Sequence, residues 1–226
     1  MIKKALFPYK FLVLLIMLYI TADLASNVVV YDMIRVGNYV GTAAMLIFPA
    51  TYLVGDVLTE VYGYNLTRQV IWYDLICNLL FSFSIVAAIH LPAQNIALGK
   101  AYELTLGHLG YIGLGALFGG VISEFINAYM LSKLKLLSRG RYFWLRSVAS
   151  SAIGMALLLL IANAIAFVGL TSFYDYLSVS LTTYLFELVF VSIMAVPISF
   201  LVYWLKRSEG VDADDRGVNF NPFQFT

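Results

Sequence analysis

Residues Phe48 to Gly63 read FPATYLVGDVLTEVYG, and the two acids in this run decide what solvent the chain is built for. Asp56 and Glu60 stand four apart, so a helix places them on one face, with Tyr52 a turn earlier and Gly63 closing the run. Their neighbours are mostly apolar or small. Two like charges so placed repel, which leaves one of them protonated or both sharing a cation. Pro49 interrupts the helix just ahead of the pair, and a proline there frees backbone carbonyls to line a cavity or to permit bending.

The rest of the chain explains the setting. Of 226 residues, 62% are apolar and 12% charged, against roughly half and about a quarter in soluble domains. A soluble fold of this size cannot hide so much apolar surface, so lipid is expected to be part of its solvent. Six segments are long enough to cross ~30 Å of hydrocarbon at ~1.5 Å per residue: 8–30, 39–62, 67–91, 109–132, 143–170 and 176–205. The expected fold is all-α: a polytopic bundle of six transmembrane helices in one domain, 1–205, followed by a polar, flexible tail, 206–226. Met1–Ile20 has the outline of a secretory signal, but the apolar run continues to Val30 and five more spans follow, so it reads as an uncleaved first helix. Between spans lie a short polar link, Tyr31–Asn38, and a tight turn, Gly63–Thr67. A longer connection, Pro92–His108, carries an amphipathic piece near Tyr102–Leu106, and a basic loop covers Ser132–Tyr142.

Lys and Arg set the orientation. With the N-terminus inside, 12 of the 14 basic residues fall on the cytoplasmic side, and only Arg35 and Lys100 lie opposite. Both termini are therefore expected in the cytoplasm. The net charge of +1 offers no field for nucleic acid. Cys77 stands alone, so no internal disulfide forms, and His90 and His108 lack the neighbours of a metal site. No cofactor or metal is expected. The sequence leaves a homo-oligomer open.

Asp23, Asp56, Glu60, Asp74, Glu124 and Glu187 all fall inside or at the edge of the spans. An ionised carboxylate near a helix centre costs roughly 2.5–3.5 kcal/mol on insertion scales. These groups should therefore face a bundle interior or a wet cavity. Asp23 pairs with Asn27, Asp74 with Asn78 and Ser82, and Glu124 with Asn127, each on one helix face; Glu187 has no evident polar neighbour. Each also has a structural reading. Asp56 and Glu60 could pair with Arg68 or Arg146, and Asp74 could be an N-terminal charge on its helix dipole. Gly115-x-x-x-Gly119 permits a close helix crossing that could bring Glu124 into a pocket.

The Asp-x-x-x-Glu-x-Tyr-Gly core at Asp56–Gly63 resembles the queuosine precursor transporter family, the VUT or YhhQ-like group of six-helix proteins. Three further places are similar: Ala25-Ser26-Asn27; Trp144-Leu145-Arg146 followed by Ser150 and Ser151; and Phe220-Asn221-Pro222-Phe223 after an acidic stretch from Gly210. The chain departs from the family in the fifth helix, where Met155-Ala156-Leu157-Leu158 stands in place of a Gln and an Asp, and in the sixth, where Glu187 replaces a basic residue. The resemblance implies import of a small-molecule substrate, a 7-deazaguanine base or queuine, across the cytoplasmic (inner) membrane. A carboxylate can accept two adjacent N–H donors of a guanine-like edge. Asp56, Glu60, Glu124 and Asn127 are the expected contacts, with Asn27 and Arg146 in support.

No nucleotide-binding loop is visible, so ATP could act only through a partner. The alternative to a single-chain carrier is thus a substrate-capture subunit of a multi-component vitamin or purine-like importer. An intramembrane enzyme would want a Ser/His, paired-acid or metal site, and both histidines lie far from the acidic pair. A scaffold does not need so many carboxylates at hydrocarbon depth.

Overall fold

The computed structural model describes residues 9–166 and 172–224. Helix α1, Leu12–Val29, leads into an antiparallel hairpin of β1, Met33–Val36, and β2, Tyr39–Thr42, in which Met33 pairs with Thr42. A 3-10 turn at Ala43–Leu46 precedes α2, Pro49–Tyr62, and Gly63 alone separates α2 from α3, Tyr64–Ile89. Next come α4, Ile96–Leu106; α5, Leu109–Gly115; a π segment, Ala116–Gly120; and α6, Val121–Leu137. Then follow α7, Phe143–Leu158; a second π segment, Leu159–Asn163; the short α8, Ala164–Ala166; and α9, Phe173–Glu209. The expected fifth span continues over 167–170, which lies outside the described residues.

Five helical stretches are long and apolar enough to cross a membrane: Leu12–Val29, Tyr64–Ile89, Ile96–Leu137, Phe143–Ile161 and Phe173–Glu209. They carry apolar side chains outward, among them Met17, Leu80, Phe83, Ile193 and Phe200, and bury Asp23, Asp56, Glu60, Asp74, Asn78, Arg146 and Glu187 within. That inversion of a soluble protein's arrangement suits an apolar solvent.

The expected second span, 39–62, needs correction, because its first part is not helical. Residues 39–42 form β2, and Pro49 begins the helix rather than interrupting it. Proline lacks an N–H and is preset for the first helical position, where none is needed. The 14 residues of α2 span ~21 Å at ~1.5 Å each, short of a ~30 Å hydrocarbon core. Nearly all of them are buried, against α1, α3, α6 and α9. Protein supplies the cover that lipid could not, so irregular backbone beside α2 is tolerated at this depth.

The ends of the bundle differ. The starts of α1 and α7 and the ends of α2, α6 and α9 gather at one end, rich in Lys and Arg. Glu209, at the end of α9, accepts from the backbone N–H groups of Lys10 and Phe11 at 2.9 and 2.7 Å, satisfying donors at the start of α1. Gly63 holds φ +90° where α2 meets α3, and a Cβ there would stand 2.8 Å from Ala213 Cβ.

The polar tail folds back over this basic end. Asp215 is buried and accepts from Ser132 Oγ and, at 3.2 Å, from the Tyr64 N–H. Arg68 donates to the carbonyls of Asn219 and Asn221 at 3.0 and 2.9 Å, and Trp72 Nε1 to that of Pro222 at 2.9 Å. Phe220 packs between Tyr64 and Tyr129, with Lys133 Nζ 4.2 Å from its ring centre. Composition points to a free segment, but the tail carries the acceptors that a buried Arg68 requires.

Candidate functional site

A chamber, partly open to the outside, lies between α1, α3, α6 and α9. Spacing explains its polarity. Asp23 and Asn27 on α1, Asp74 and Asn78 on α3, and Thr183 and Glu187 on α9 are i, i+4 pairs, each turned into the chamber, and Glu124 of α6 joins them. Phe48, Ile71, Leu75 and Ile112 supply apolar wall. Both π segments pack together beside it, and Gly115, Ala116, Gly120 and Leu159 reach its lining. A π turn within an α-helix shifts the face presented on either side of it, and such turns are frequent at functional sites.

The two amides organise the acids on α1 and α3. Asn27 Nδ2 donates to Asn78 Oδ1 at 2.6 Å and to Asp23 Oδ2 at 3.3 Å. Asn78 Nδ2 in turn donates to Asp23 Oδ2 and, at 3.2 Å, to Asp74 Oδ2. Asp74 Oδ1 is buried and has no hydrogen-bond partner among the described residues. Glu124 accepts from the Tyr19 hydroxyl. Glu187 is 3% exposed and makes no hydrogen bond or ion pair among the described residues. The chamber therefore presents more acceptor oxygens than it has donors to match them.

Asp56 and Glu60 share a helix face but belong to different networks. Asp56 is fully buried and accepts from Asn127 Nδ2 at 2.9 Å, from the Ser147 hydroxyl, and from Ser151 at 3.2 Å. Glu60 sits at the basic end, where Arg146 grips both oxygens at 2.7 and 3.2 Å and Lys206 adds a contact at 2.7 Å. Lys135 stands 3.7 Å from Glu60, and Asp212 of the tail bridges Lys135 and Lys206 at 2.7 and 2.9 Å.

Of the expected site residues, Asn27 and Glu124 line the chamber. Asp56 and Asn127 bond to each other away from it, and Glu60 with Arg146 closes the basic end. Asp23, Asp74, Asn78, Thr183 and Glu187 complete the chamber, although sequence reasoning leaves them out of the site. Asp74 is not a charge at the start of its helix. Helix α3 begins at Tyr64, so Asp74 lies ten residues in, ~15 Å from the helix start. Glu187 does have a polar neighbour, since Thr183 is one turn before it, a spacing legible in the sequence. Arg68, a possible partner for the acidic pair on sequence grounds, serves the tail instead.

Helices with apolar exteriors around a chamber lined by carboxylates and amides define a membrane protein. Residues 42–202 match the family described as "Putative vitamin uptake transporter", and the chain belongs to that family. A relative from Bacillus subtilis (strain 168), named "Probable queuosine precursor transporter", is 24% identical over 181 residues, 79% of each chain. No solved structure matches the chain. The family is one of transporters, not of enzymes.

Proposed function

We propose that this protein imports a queuosine precursor, a 7-deazaguanine base or queuine itself, across the cytoplasmic membrane as a single-chain carrier with both termini inside. The observation that carries the reading is the unmatched acceptor surface of the chamber, above all Glu187 and Asp74 Oδ1. A guanine-like edge offers adjacent N–H donors that a carboxylate accepts side by side, and an aminomethyl derivative adds a cation to offset the like charges. The apolar wall at Phe48, Ile71 and Ile112 suits the faces of a planar ring. The name of the Bacillus subtilis relative points to the same cargo.

Within this reading Asn27 and Glu124 contact cargo together with Asp23, Asp74, Asn78 and Glu187. Asp56 and Asn127 brace α2 against α6 and α7. Glu60 and Arg146 hold the cytoplasmic end shut until cargo is loaded, as alternating access requires. Two assays test this. A strain unable to make the precursor, supplied with limiting external base, should regain queuosine in its tRNA when this chain is expressed. Purified protein in liposomes, with no partner present, should take up the labelled base. Failure of both assays with correctly inserted protein removes the cargo assignment. Complementation in cells without uptake in liposomes points instead to a subunit that needs an ATPase partner.

A further inference from the structure

A second, smaller space lies among α1, α2, α3 and α6. Glu124 lines both this space and the chamber, so the two share a carboxylate. Thr51, Thr59, Thr67 and Asn127 also line it, and all four are buried.

Hydrogen bonding settles what these groups offer. Asn127 Nδ2 faces the Asp56 carboxylate at 2.9 Å. An ionised carboxylate only accepts, so this contact fixes the orientation of the amide and leaves Oδ1 as its other face. Neither Asn127 Oδ1 nor Thr51 Oγ1 has a partner among the described residues, and both atoms are buried. The Thr59 and Thr67 hydroxyls stand 3.2 Å apart, within reach of the Gly55 carbonyl at 2.9 Å and the Gly63 carbonyl at 3.1 Å respectively, so each keeps at least one lone pair. The lining therefore offers amide, hydroxyl and carboxylate oxygens; its amide N–H donors are engaged elsewhere, and the hydroxyls of Thr51 and Tyr52, both buried without a partner among the described residues, can turn their hydrogens away and present lone pairs. Hard cations take oxygen ligands of these types, and the single carboxylate, Glu124, balances one positive charge.

We propose that this space binds one sodium ion, held by Asn127 Oδ1, Thr51 Oγ1 and Glu124, and that the ion couples to cargo through the shared Glu124. The coupling half of the inference rests on the transporter reading; the binding half does not. The binding test is therefore made without cargo, on purified full-length protein in detergent, with sodium, potassium or choline chloride at equal ionic strength and pH. Sodium should raise the unfolding temperature in a saturable way that potassium and choline do not match. Thr51→Val should weaken the apparent sodium affinity at least tenfold, while Thr182→Val, at a partly exposed site on α9 away from this space, should leave it unchanged. Equal unfolding temperatures in all three salts overturn the site and leave a water-filled void, and because this comparison uses the unaltered chain it does not depend on a variant folding. Uptake of labelled base into liposomes should then rise several-fold with an inward sodium gradient at fixed pH. Sodium binding with uptake indifferent to the gradient overturns the coupling. Sodium binding in a protein that takes up no deazaguanine leaves the ion site standing and removes the cargo assignment.

Discussion

Glu60 shows how much one side chain depends on what surrounds it. It is 1% exposed and meets two cations at 2.7 Å, Arg146 and Lys206. Removing its charge strands a buried guanidinium. Glu60→Gln is therefore expected to destabilise the protein by about 3–5 kcal/mol, read as a lowered unfolding midpoint in detergent. The double variant Glu60→Gln with Arg146→Met should be markedly more stable than the single variant, because neither charge is left alone. If the two changes simply add, the ion pair is not the cause. At this scale the sequence marks most of the polar residues that matter, because a carboxylate inside an apolar run is costly wherever it points. It does not say which of them meet. Asp56 and Glu60 are one turn apart, and yet two serines and an amide claim the first while lysine and arginine claim the second. Those partners arrive from α6, α7 and α9, far along the chain.

At the scale of elements, glycine positions control how closely helices approach. A Cβ at Gly154 of α7 would lie 2.8 Å from Tyr52 Cε1 and 3.1 Å from both Asn127 Cβ and the Ser123 carbonyl. Gly154→Ala overpacks this three-helix crossing and should cost roughly 1–3 kcal/mol, measured as a lowered unfolding midpoint. Gly63→Ala combines a positive φ with a clash against Ala213. It should loosen both the α2–α3 corner and the tail, detected as faster protease cleavage within residues 211–224. The long helices are readable because an apolar run of such length seldom folds as anything but a span. The half-length α2 and its hairpin are not. Hydropathy reports burial, and residues 39–48 are apolar enough to pass for the start of a span whether or not they are helical. Pro49 is the available sign of a helix start, and by sequence alone it reads as readily as a break.

Over the whole molecule, the basic residues collect at the end that the tail covers, and that partition follows from counting Lys and Arg. The docking of the tail does not, since few of its own residues are apolar and its hold comes from donors on α3 and α6. Truncation after Gly210 should lower the unfolding temperature by several degrees, because Arg68 and Lys135 then lose buried acceptors. Burial alone would raise the Asp212 carboxyl, but Lys135 and Lys206 hold it below the ordinary carboxylate range. Its contribution is therefore present above that range and is lost as pH falls through the lowered value. Amide exchange in the tail, corrected for the intrinsic rate, should accelerate on acidification, and Asp212→Asn should remove that step.

In the proposed function, cargo recognition rests on the chamber's unmatched carboxylates, Glu187 and Asp74. The most direct measurement is equilibrium binding of a labelled 7-deazaguanine base to purified protein, comparing the unaltered chain with Glu187→Gln and Asp74→Asn at matched thermal stability. Affinity should be at least tenfold weaker in each variant, with the fold retained. Unchanged affinity in both would mean that the cargo does not meet these acids, and the chamber would lose its assigned role.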